Sequence, residues 1–417
     1  MTPAPAPGGP VPVRTLVLVG HGMVGHRLLK TVLAGDTAGA WRIVVLAEEA
    51  RPGYDRLALS SYLTGRTAEE LALSRGGLLD DPRVDLRLST PVAAIDRAGR
   101  AVTTADGIRV PYDALVLATG SRPFVPPVPG HDLPGCFTYR TLDDLDAVRA
   151  AAVPGRPGVV VGGGLLGLEA AGALRALGMR PHVVELAPRL LPLQTDEGAG
   201  RLLGGLVGGL GVDVHCAAAT SGVVTGSDGR VRAVLLDDGT TLETDLVIFS
   251  VGVRPRDELA APAGLAVGPR GGILVDERCR TADPRIWAVG ECAAVRGRCY
   301  GLVGPGYRMA EAVAGRLLGR VTEPFPADPD LSTRLKLLGV DLASFGDVHA
   351  TTEGAVSLTH EDHTRRTYAR LVLASDTRTL LGGVLAGDAS AYPVLHGLIG
   401  RQLPASPERL LSGTEAH

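Results

Sequence analysis

The stretch Gly158–Glu185, GVVVGGGLLGLEAAGALRALGMRPHVVE, is the part of the sequence that decides the fold. A short apolar strand leads into the glycine turn Gly162-x-Gly164-x-x-Gly167, an amphipathic helix follows, and a second strand ends at Glu185. The first glycine permits a tight turn, the second lets the backbone approach a pyrophosphate at the positive end of the helix, and the third allows close packing. A strand–turn–helix–strand unit of ~30 residues with these features predicts dinucleotide binding rather than a purely structural turn.

The same pattern occurs a second time near the start of the chain. The apolar run Val13–Val19 leads into Gly20-His21-Gly22-Met23-Val24-Gly25, and after a helical stretch the strand Trp41–Ala47 ends in Glu48 and Glu49. A carboxylate at this position accepts hydrogen bonds from an adenosine ribose. We expect Glu48 to fill that role, with Glu49 as the alternative. Two such units in one chain are far more specific than one.

An internal repeat marks the ends of the two units. Asp113–Gly120 reads DALVLATG and continues as Gly-Ser-Arg-Pro, and Asp245–Gly252 reads DLVIFSVG and continues as Gly-Val-Arg-Pro. Glycine lets the chain pass close to a nucleotide, and proline turns it out of the sheet. Each copy therefore closes one unit, and the second unit is inserted between the two copies.

Composition excludes several classes of function. The 417 residues carry a net charge of −3 without a basic run and only 4% aromatic residues, which argues against nucleic-acid binding. The five cysteines form no CxxC pair, which favours a reducing compartment and speaks against a disulfide framework or a metal cage. The ten histidines form no metal-ligand set and are expected at the surface or as caps. We predict no metal site.

The sequence also predicts a cytoplasmic protein. Its first twelve residues, MTPAPAPGGPVP, lack the basic and apolar regions of a signal peptide and predict a disordered tail. No apolar run reaches the ~18 residues that a membrane span requires.

The remaining stretches are less distinctive. Residues 84–110 predict a small β-meander, and Gly304-Pro305-Gly306-Tyr307 predicts the start of a helix. Near the C-terminus the pattern predicts strands over Leu335–Phe345, Arg366–Ala374 and Leu380–Gly387, the last two joined as a hairpin, followed by a helix over Tyr392–Gly400.

Two nested units of this kind resemble the FAD-dependent pyridine nucleotide-disulfide oxidoreductase superfamily, which has the glutathione-reductase-like fold. Within it, the chain is most similar to the N-terminal flavoprotein part of the assimilatory NAD(P)H nitrite reductase large subunit and to rubredoxin and ferredoxin reductases. The resemblance runs from about residue 13 to about residue 404 and is carried by GHGMVGHRLL, RPGYDRLALSSYL, VVVGGGLLGLEAAGALRALGM, GVRPRDELA, YGLVGPGYRMAE and LSTRLKLLGVDLASFGD.

The resemblance implies an α/β fold in which two nested Rossmann-like dinucleotide-binding domains precede a small α+β C-terminal domain. The implied division is a disordered tail over residues 1–12, a discontinuous FAD-binding domain over 13–123 and 245–322, an NAD(P)H-binding domain over 124–244, and a C-terminal interface domain over 323–417. The chain ends where the iron–sulfur and sirohaem segments of nitrite reductase would begin, so we expect this chain alone not to reduce nitrite.

The implied cofactors are FAD and NADH, with NADPH possible. The predicted FAD contacts are Gly20, Gly22, Met23, Val24, Gly25, Glu48, Arg56, Val92, Ala118, Thr119, Gly120, Gly290, Glu291, Gly306 and Tyr307. The predicted NADH contacts are Gly162, Gly164, Leu165, Leu166, Gly167, Glu185 and Gly252. For Arg56 a solvated side chain is an equal alternative.

Glu169, two residues after the last glycine of the opening stretch, is the one residue that the resemblance assigns to catalysis. Its implied role is positioning or sensing of flavin charge, and the alternative is a carboxylate favoured by the helix dipole. Disulfide reductases of this fold carry a redox cysteine on the helix facing the flavin, but the corresponding Leu59–Leu63 has Ser60 and Ser61 instead. We therefore expect no thiol relay. The lysine that rubredoxin reductases pair with this glutamate is also replaced, by Ser61.

Glu185 bears on the choice of nucleotide. A carboxylate there accepts a ribose 2′-hydroxyl and repels a 2′-phosphate, so we expect NADH to be preferred, although Arg189 could soften the preference.

Three functions are compatible with the sequence. The first is a reductase that passes electrons from NADH through FAD to a separate acceptor protein, either iron–sulfur, rubredoxin-like or sirohaem. The second is an NADH oxidase or diaphorase that uses oxygen or a quinone directly. The third is a flavin-bearing binding or signalling protein, which the missing basic surface disfavours. The oligomeric state, monomer or homodimer, stays open.

Overall fold

The computed structural model describes residues 12–74, 76–337 and 339–411. Residues 1–11 of the predicted tail lie outside this part of the chain. The described chain forms two compact units. The first unit comprises the chain up to Arg56 together with Thr67–Arg122 and Arg254–Pro329. The second unit comprises Leu57–Arg66, Pro123–Val253 and the chain from Asp330 onward.

A five-stranded parallel sheet forms the core of the first unit. Its strands are, in spatial order, Ile286–Ala288, Ala114–Leu117, Arg14–Val19, Trp41–Leu46 and Val84–Arg87. The central strand is apolar from Leu16 onward, and Leu16, Val17 and Leu18 have no exposed surface. This is the pattern of a parallel strand that is covered on both faces. The helices Met23–Gly35 and Val303–Leu317 pack against each other in this unit.

Smaller elements complete the first unit. Residues 84–110 do not form the predicted meander as a whole, because Val84–Arg87 joins the parallel sheet. Only the rest forms a three-stranded antiparallel sheet. The further elements are the strands Val92–Asp96, Ala101–Thr104, Arg109–Pro111, Ile273–Val275 and Ala293–Val295, the helix Ala68–Leu71, and the 3-10 turns Leu78–Asp80 and Gly290–Cys292. A further 3-10 turn, Arg56–Ala58, begins at the last residue of the first segment of this unit and continues into the second unit.

A second five-stranded parallel sheet lies in the second unit. Its strands are, in spatial order, Asp213–Cys216, Arg180–Glu185, Pro157–Val161, Leu246–Phe249 and Cys136–Thr138. Leu246–Phe249 therefore belongs to this sheet and not to the FAD-binding domain, to which the predicted boundary at residue 245 assigns it. The second unit also holds the antiparallel strands Thr220–Thr225, Val231–Leu236 and Thr241–Glu243, and the helices Leu59–Leu63, Leu142–Ala151, Leu165–Ala176 and Glu197–Gly208.

The C-terminal part of the second unit is a five-stranded antiparallel sheet. Its strands are, in spatial order, Thr333–Leu337, Val340–Gly346, Leu380–Gly387, Thr367–Leu373 and Val356–Asp362, and the helices Tyr392–Gly397 and Pro407–Leu411 follow. The predicted hairpin is confirmed, since Leu373 pairs with Leu380. The single predicted strand Leu335–Phe345 is wrong, because the chain turns near Gly339, which has a φ of +85°. Val356–Asp362, VSLTHED, is almost entirely exposed, and its apolar alternation ends after Val356 and Leu358, which is too short to predict a strand.

The internal repeat is also visible in the fold. Its Arg-Pro ends lie in two short strands, Ser121–Pro123 and Val253–Pro255, that pair with each other. Each of the two parallel sheets has a strand that leads through a glycine turn into a helix, and this confirms the predicted α/β class. Among the described helices, none combines the length and the apolar character that crossing a membrane demands.

Candidate functional site

The first glycine loop, Gly20–Gly25, has its outer glycines packed against the backbone and its middle glycine open. A Cβ added to Gly20 would lie 2.3 Å from the carbonyl oxygen of Ala118, and one added to Gly25 would lie 2.4 Å from that of Gly20. A Cβ on Gly22 would meet nothing within 4 Å. Gly22 is the N-cap of the helix Met23–Gly35, whose first turn carries no acidic residue. The loop thus leaves an open cradle at a positive helix end, which fits a pyrophosphate.

The second glycine loop, Gly162–Gly167, repeats this geometry in the second unit. A Cβ on Gly162 would lie 2.3 Å from the carbonyl oxygen of Ser250, and one on Gly167 would lie 1.9 Å from that of Gly162. A Cβ on Gly164 would again meet nothing within 4 Å. Gly164 is the N-cap of the helix Leu165–Ala176, and that first turn is also free of acidic residues. Each unit therefore holds one cradle of the same design.

The internal repeat explains why the two loops are alike. Ala118 and Ser250 each follow the last residue of a repeated strand directly, and their carbonyl groups support the first glycine of each loop. Gly20 and Gly162 both have positive φ, +101° and +113°, which lets the chain pass over these carbonyls without a Cβ. The residue that follows each repeated strand thus packs against the first glycine of the turn.

The carboxylates at the ends of the second strands have different partners. Glu48 forms an ion pair with Arg256. Glu49 accepts a hydrogen bond from the hydroxyl of Tyr54 at 2.7 Å and pairs with Arg56. The side chain of Arg56 is 20% exposed, so it is not the freely solvated arginine of the alternative interpretation. Sequence reasoning missed Arg256, because it lies 208 residues from Glu48.

Glu185 is bound to the second glycine loop itself. Its carboxylate accepts hydrogen bonds from the backbone N–H of Gly163 at 2.6 Å and of Ala187 at 2.7 Å. These bonds fix the carboxylate beside the cradle. The arrangement suits a hydroxyl donor and is unfavourable to a second phosphate.

Three of the predicted residues of the first unit meet at one place. Val24, in the first turn of the helix Met23–Gly35, lies where a Cβ on Gly290 or on Gly306 would be 3.2 Å or 2.7 Å from its Cγ2 atom. The helix Val303–Leu317 and the turn Gly290–Cys292 therefore approach the glycine loop closely. Tyr307 lies in the first turns of that helix, and the guanidinium of Arg27 stacks 5.3 Å from the centre of its ring.

The other predicted residues of the first unit lie along the sheet edge or farther away. Thr119 donates its hydroxyl to the carbonyl of Arg256 at 2.6 Å, and Ser121 donates to Glu291 at 2.6 Å. Gly120, between them, has a φ of +71°. Val92 lies in the three-stranded antiparallel sheet.

The remaining predicted residues lie beside the two glycine loops. Met23 begins the helix after the first loop, and Leu165 and Leu166 begin the helix after the second. Gly252 follows the strand Leu246–Phe249, which supports the second loop.

Glu169 is a partly buried acid, and one of its carboxylate oxygens, Oε2, has no hydrogen-bond partner within the part of the chain that the structure describes. Burial raises its pKa to about 7. The hydroxyl of Tyr139, 2% exposed, is likewise without a partner among the described residues, and burial together with the charge of Glu169 raises its pKa. This pair is poised to receive a polar group from outside the chain, and sequence spacing gave no sign of Tyr139.

The helix Leu59–Leu63 contacts the helix that carries Glu169, and it presents hydroxyls instead of a thiol. Ser61 donates its hydroxyl to the carbonyl of Ala58 at 2.5 Å. The cysteines lie elsewhere, and burial raises the pKa of each thiol, for instance to about 11 at Cys136 and Cys299. Thiols with such pKa values stay protonated and unreactive at neutral pH.

The predicted surface positions of the histidines are wrong for two of them. His21 and His26 are only 6% and 8% exposed, and their ring nitrogens lie 3.5 Å apart. His182 and His215, on neighbouring strands of the second unit, also approach to 3.3 Å. Among the described residues there is no group of three or more histidine, cysteine or acidic side chains suited to a metal ion.

Comparison with known proteins gives two family matches. The family described as pyridine nucleotide-disulphide oxidoreductase matches residues 14–314. The family described as rubredoxin NAD+ reductase C-terminal domain matches residues 332–403.

Individual relatives cover nearly all of the chain. The nitrite reductase [NAD(P)H] large subunit of Klebsiella oxytoca is 49% identical over 95% of this chain and 41% of its own length. The rubredoxin-NAD(+) reductase of Alcanivorax borkumensis is 31% identical over 90% of this chain and 95% of its own. The solved covalent complex of putidaredoxin reductase with putidaredoxin has a TM-score of 0.83 and 28% identity, covering 96% of each chain. The chain spans less than half the length of the nitrite reductase relative.

Proposed function

Because this chain belongs to the pyridine nucleotide-disulphide oxidoreductase family, we propose that it is an FAD-dependent NAD(P)H oxidoreductase that passes electrons from NADH to a separate redox protein. The observation that carries the proposal is the presence of one open glycine cradle in each unit, since two dinucleotides then have separate sites. FAD held by the first cradle would supply the redox chemistry that couples the hydride of NADH to an electron-accepting protein. The protein supplies binding, orientation and electrostatics.

The proposal assigns FAD to the first cradle and NADH to the second. In the first unit the amides after Gly22 hold the pyrophosphate, and Glu48 or Glu49 receives the ribose hydroxyls. In the second unit the amides after Gly164 hold the pyrophosphate of NADH. Glu185 accepts the 2′-hydroxyl there, and its charge disfavours NADPH.

Glu169 is proposed to position the reacting groups. Its unpartnered oxygen and its raised pKa allow it to exist as a neutral acid that donates a hydrogen bond near neutral pH. A neutral carboxylic acid binds an amide carbonyl without adding charge beside the redox centre. The proposal gives it no step of proton transfer.

The electron acceptor is proposed to be an iron–sulfur, rubredoxin-like or sirohaem protein. The names of the relatives support this class, because they include a rubredoxin reductase and a reductase solved in complex with putidaredoxin. The raised pKa values of the thiols, about 11 at Cys136 and Cys299, speak against an oxidase that relies on a redox cysteine. Free cysteines throughout the chain agree with the reducing cytoplasm as its location.

Steady-state assays test this assignment. With NADH alone we expect slow oxygen uptake. With added rubredoxin or a plant-type ferredoxin, the rate of carrier reduction should exceed the rate of oxygen uptake by about tenfold or more, which lies within the usual range of enzyme turnover rates. The denatured carrier serves as the control. Oxygen uptake as fast as carrier reduction would instead support an NADH oxidase.

A further inference from the structure

One buried histidine, His21, lies in the first glycine loop, and a second, His26, follows the loop directly and contacts the first. His26 Nδ1 lies 3.5 Å from His21 Nε2, and the two rings are tilted by 53°. The other ring nitrogen of His21, Nδ1, accepts a hydrogen bond from the backbone N–H of Gly53 at 3.0 Å. A chain of contacts thus runs from Gly53 through both imidazoles, and all three residues belong to the first unit.

These contacts determine where the protons lie. A backbone N–H can only donate, so His21 Nδ1 is the unprotonated acceptor. A neutral His21 then carries its proton on Nε2, which points at His26 Nδ1. His26 accepts at Nδ1 and therefore carries its own proton on Nε2. Each contact in the chain has one donor and one acceptor only in this arrangement.

A positive charge on either ring disrupts this series of hydrogen bonds. A doubly protonated His21 would turn an N–H toward the N–H of Gly53, and a doubly protonated His26 would turn one toward His21 Nε2–H. Burial and the neighbouring His26 lower the pKa of His21 to about 4. Burial and Lys30, one turn along the same helix, lower the pKa of His26. The loop packed against His21 carries Arg51 and Asp55, charges of opposite sign, on either side of Gly53.

These hydrogen bonds join the glycine loop to the segment that carries Arg56. A Cβ on Gly53 would lie 2.3 Å from the carbonyl oxygen of His21, so the main chain of His21 contacts this segment as well as its ring. The carbonyl of Gly53 in turn accepts from the N–H of Leu73 at 2.9 Å. Gly53 is therefore held on both sides, and His21 lies between it and the open cradle at Gly22.

We propose that His21 and His26 are positioning residues that hold the first glycine loop in its phosphate-binding shape only while both rings are neutral, so that mild acid releases FAD. This inference rests on the proposed function, which assigns FAD to that loop. Loss of the hydrogen bond to Gly53 frees His21 and with it the glycine loop. Binding of the cofactor then has to order the loop as well. Binding to a loop that is not preorganised is weaker.

Two measurements on the full chain test the inference. The first is the FAD dissociation constant of the apoprotein between pH 7.5 and 5, followed by flavin fluorescence. In a freed loop the pKa of His21 would return from about 4 to its ordinary value of 6.5, so protons favour the freed loop below pH 6.5, by up to tenfold for each pH unit. We therefore expect the dissociation constant to rise by about tenfold or more between pH 7.5 and pH 5. The second is the 15N spectrum of the ring nitrogens at pH 7.5 without FAD. Both rings should show an unprotonated Nδ1 and a protonated Nε2.

The double variant His21→Asn, His26→Asn separates positioning from a general acid effect. Asparagine places an acceptor oxygen near the position of Nδ1 and does not titrate, so FAD affinity at pH 7.5 should stay within about threefold of the parent. Its pH dependence should nearly vanish. The matched control is His363→Asn, since the His363 side chain is 87% exposed and lies in the second unit. It should retain the steep pH dependence of the parent.

Three results would overturn the inference. One is a double variant that loses FAD toward pH 5 as steeply as the parent. Another is a spectrum at pH 7.5 with a charged ring or with the His21 proton on Nδ1. Finally, a chain that binds no FAD at pH 7.5 would overturn the proposed function and the acid release together, but the spectrum would still decide whether the pair is neutral.

Discussion

At the scale of single residues, the charge state of Glu169 is the feature with the clearest consequences. Burial favours the neutral form of a carboxyl group, and here it raises the pKa to about 7. The unfolded chain ionises this group at its ordinary pKa near 4.5. Between these values the folded protein binds a proton that the unfolded chain has released. Glu169 therefore destabilises the fold increasingly as the pH rises from about 4.5 to about 7.

Substitution Glu169→Gln should remove this pH-dependent cost. We expect the variant to match the parent near pH 4.5 and to be about 2–3 kcal/mol more stable at pH 8, because glutamine cannot ionise. Denaturant unfolding of the cofactor-free protein at both pH values measures the difference. Glu353→Gln, at an exposed site, is the control and should show no such trend. A stability gain that is independent of pH would contradict the assigned charge state.

Glu185 makes a second prediction at this scale. Glutamine at this position keeps the shape of the side chain but removes the charge that opposes a 2′-phosphate. We expect Glu185→Gln to lower the ratio of kcat/KM for NADH to that for NADPH by about tenfold, in the range of one charged hydrogen bond. Initial rates with a saturating carrier give the two constants. Glu243→Gln, whose parent side chain is 76% exposed, should leave the ratio unchanged. A parent enzyme that prefers NADPH would refute this interpretation of Glu185.

At the scale of elements, each glycine loop has two kinds of glycine: those where a Cβ would clash with the backbone and one where a Cβ would meet nothing. Gly25 and Gly167 contact the carbonyl of the first glycine, so any side chain there disrupts the turn. Gly22 and Gly164 have φ values of −75° and −79°, which every residue adopts, and nothing lies beside them. Glycine at the two middle positions is therefore not required by the fold. We propose that a side chain is absent there so that a phosphate group can approach the backbone.

Alanine at the middle positions should therefore impair binding and spare folding. We expect Gly22→Ala to weaken FAD binding and Gly164→Ala to raise the KM for NADH, each about tenfold, with a Tm within a few degrees of the parent. Each variant should leave the other cofactor unaffected, because the loops lie in separate units. Gly204→Ala, on the helix Glu197–Gly208 and also without a neighbour within 4 Å, is the control. Loss of both cofactors in one variant would contradict the separate assignment.

Local pattern predicted these elements well, and long-range contacts were what it could not supply. Both glycine loops and their helices follow from spacing within about 30 residues, which is the range over which a strand, turn and helix determine one another. The contact of His21 with Gly53 spans 32 residues of chain, and that of Glu48 with Arg256 spans 208. Neither pair shares a periodic pattern. Sequence reasoning therefore located the cradles but missed the buried groups that support and flank them.

At the scale of the whole molecule, the chain combines two similar dinucleotide units with a C-terminal antiparallel sheet. The helix Glu197–Gly208 connects this sheet to the rest of the second unit. Its N-cap, Asp196, accepts hydrogen bonds from the hydroxyl of Tyr368 at 2.6 Å and from Arg370 at 3.3 Å. The predicted division into three domains remains a prediction, since the sheet forms part of the second compact unit.

The central claim is that NADH bound in one unit reduces FAD bound in the other. Anaerobic stopped-flow mixing of the FAD-loaded protein with NADH, followed at the flavin absorbance near 450 nm, tests it most directly, that wavelength being about the maximum of oxidised flavins. We predict rapid bleaching at a rate that saturates with NADH, and for Gly164→Ala a rate that saturates only at about tenfold higher NADH. A flavin that stays oxidised in the presence of NADH would contradict the claim.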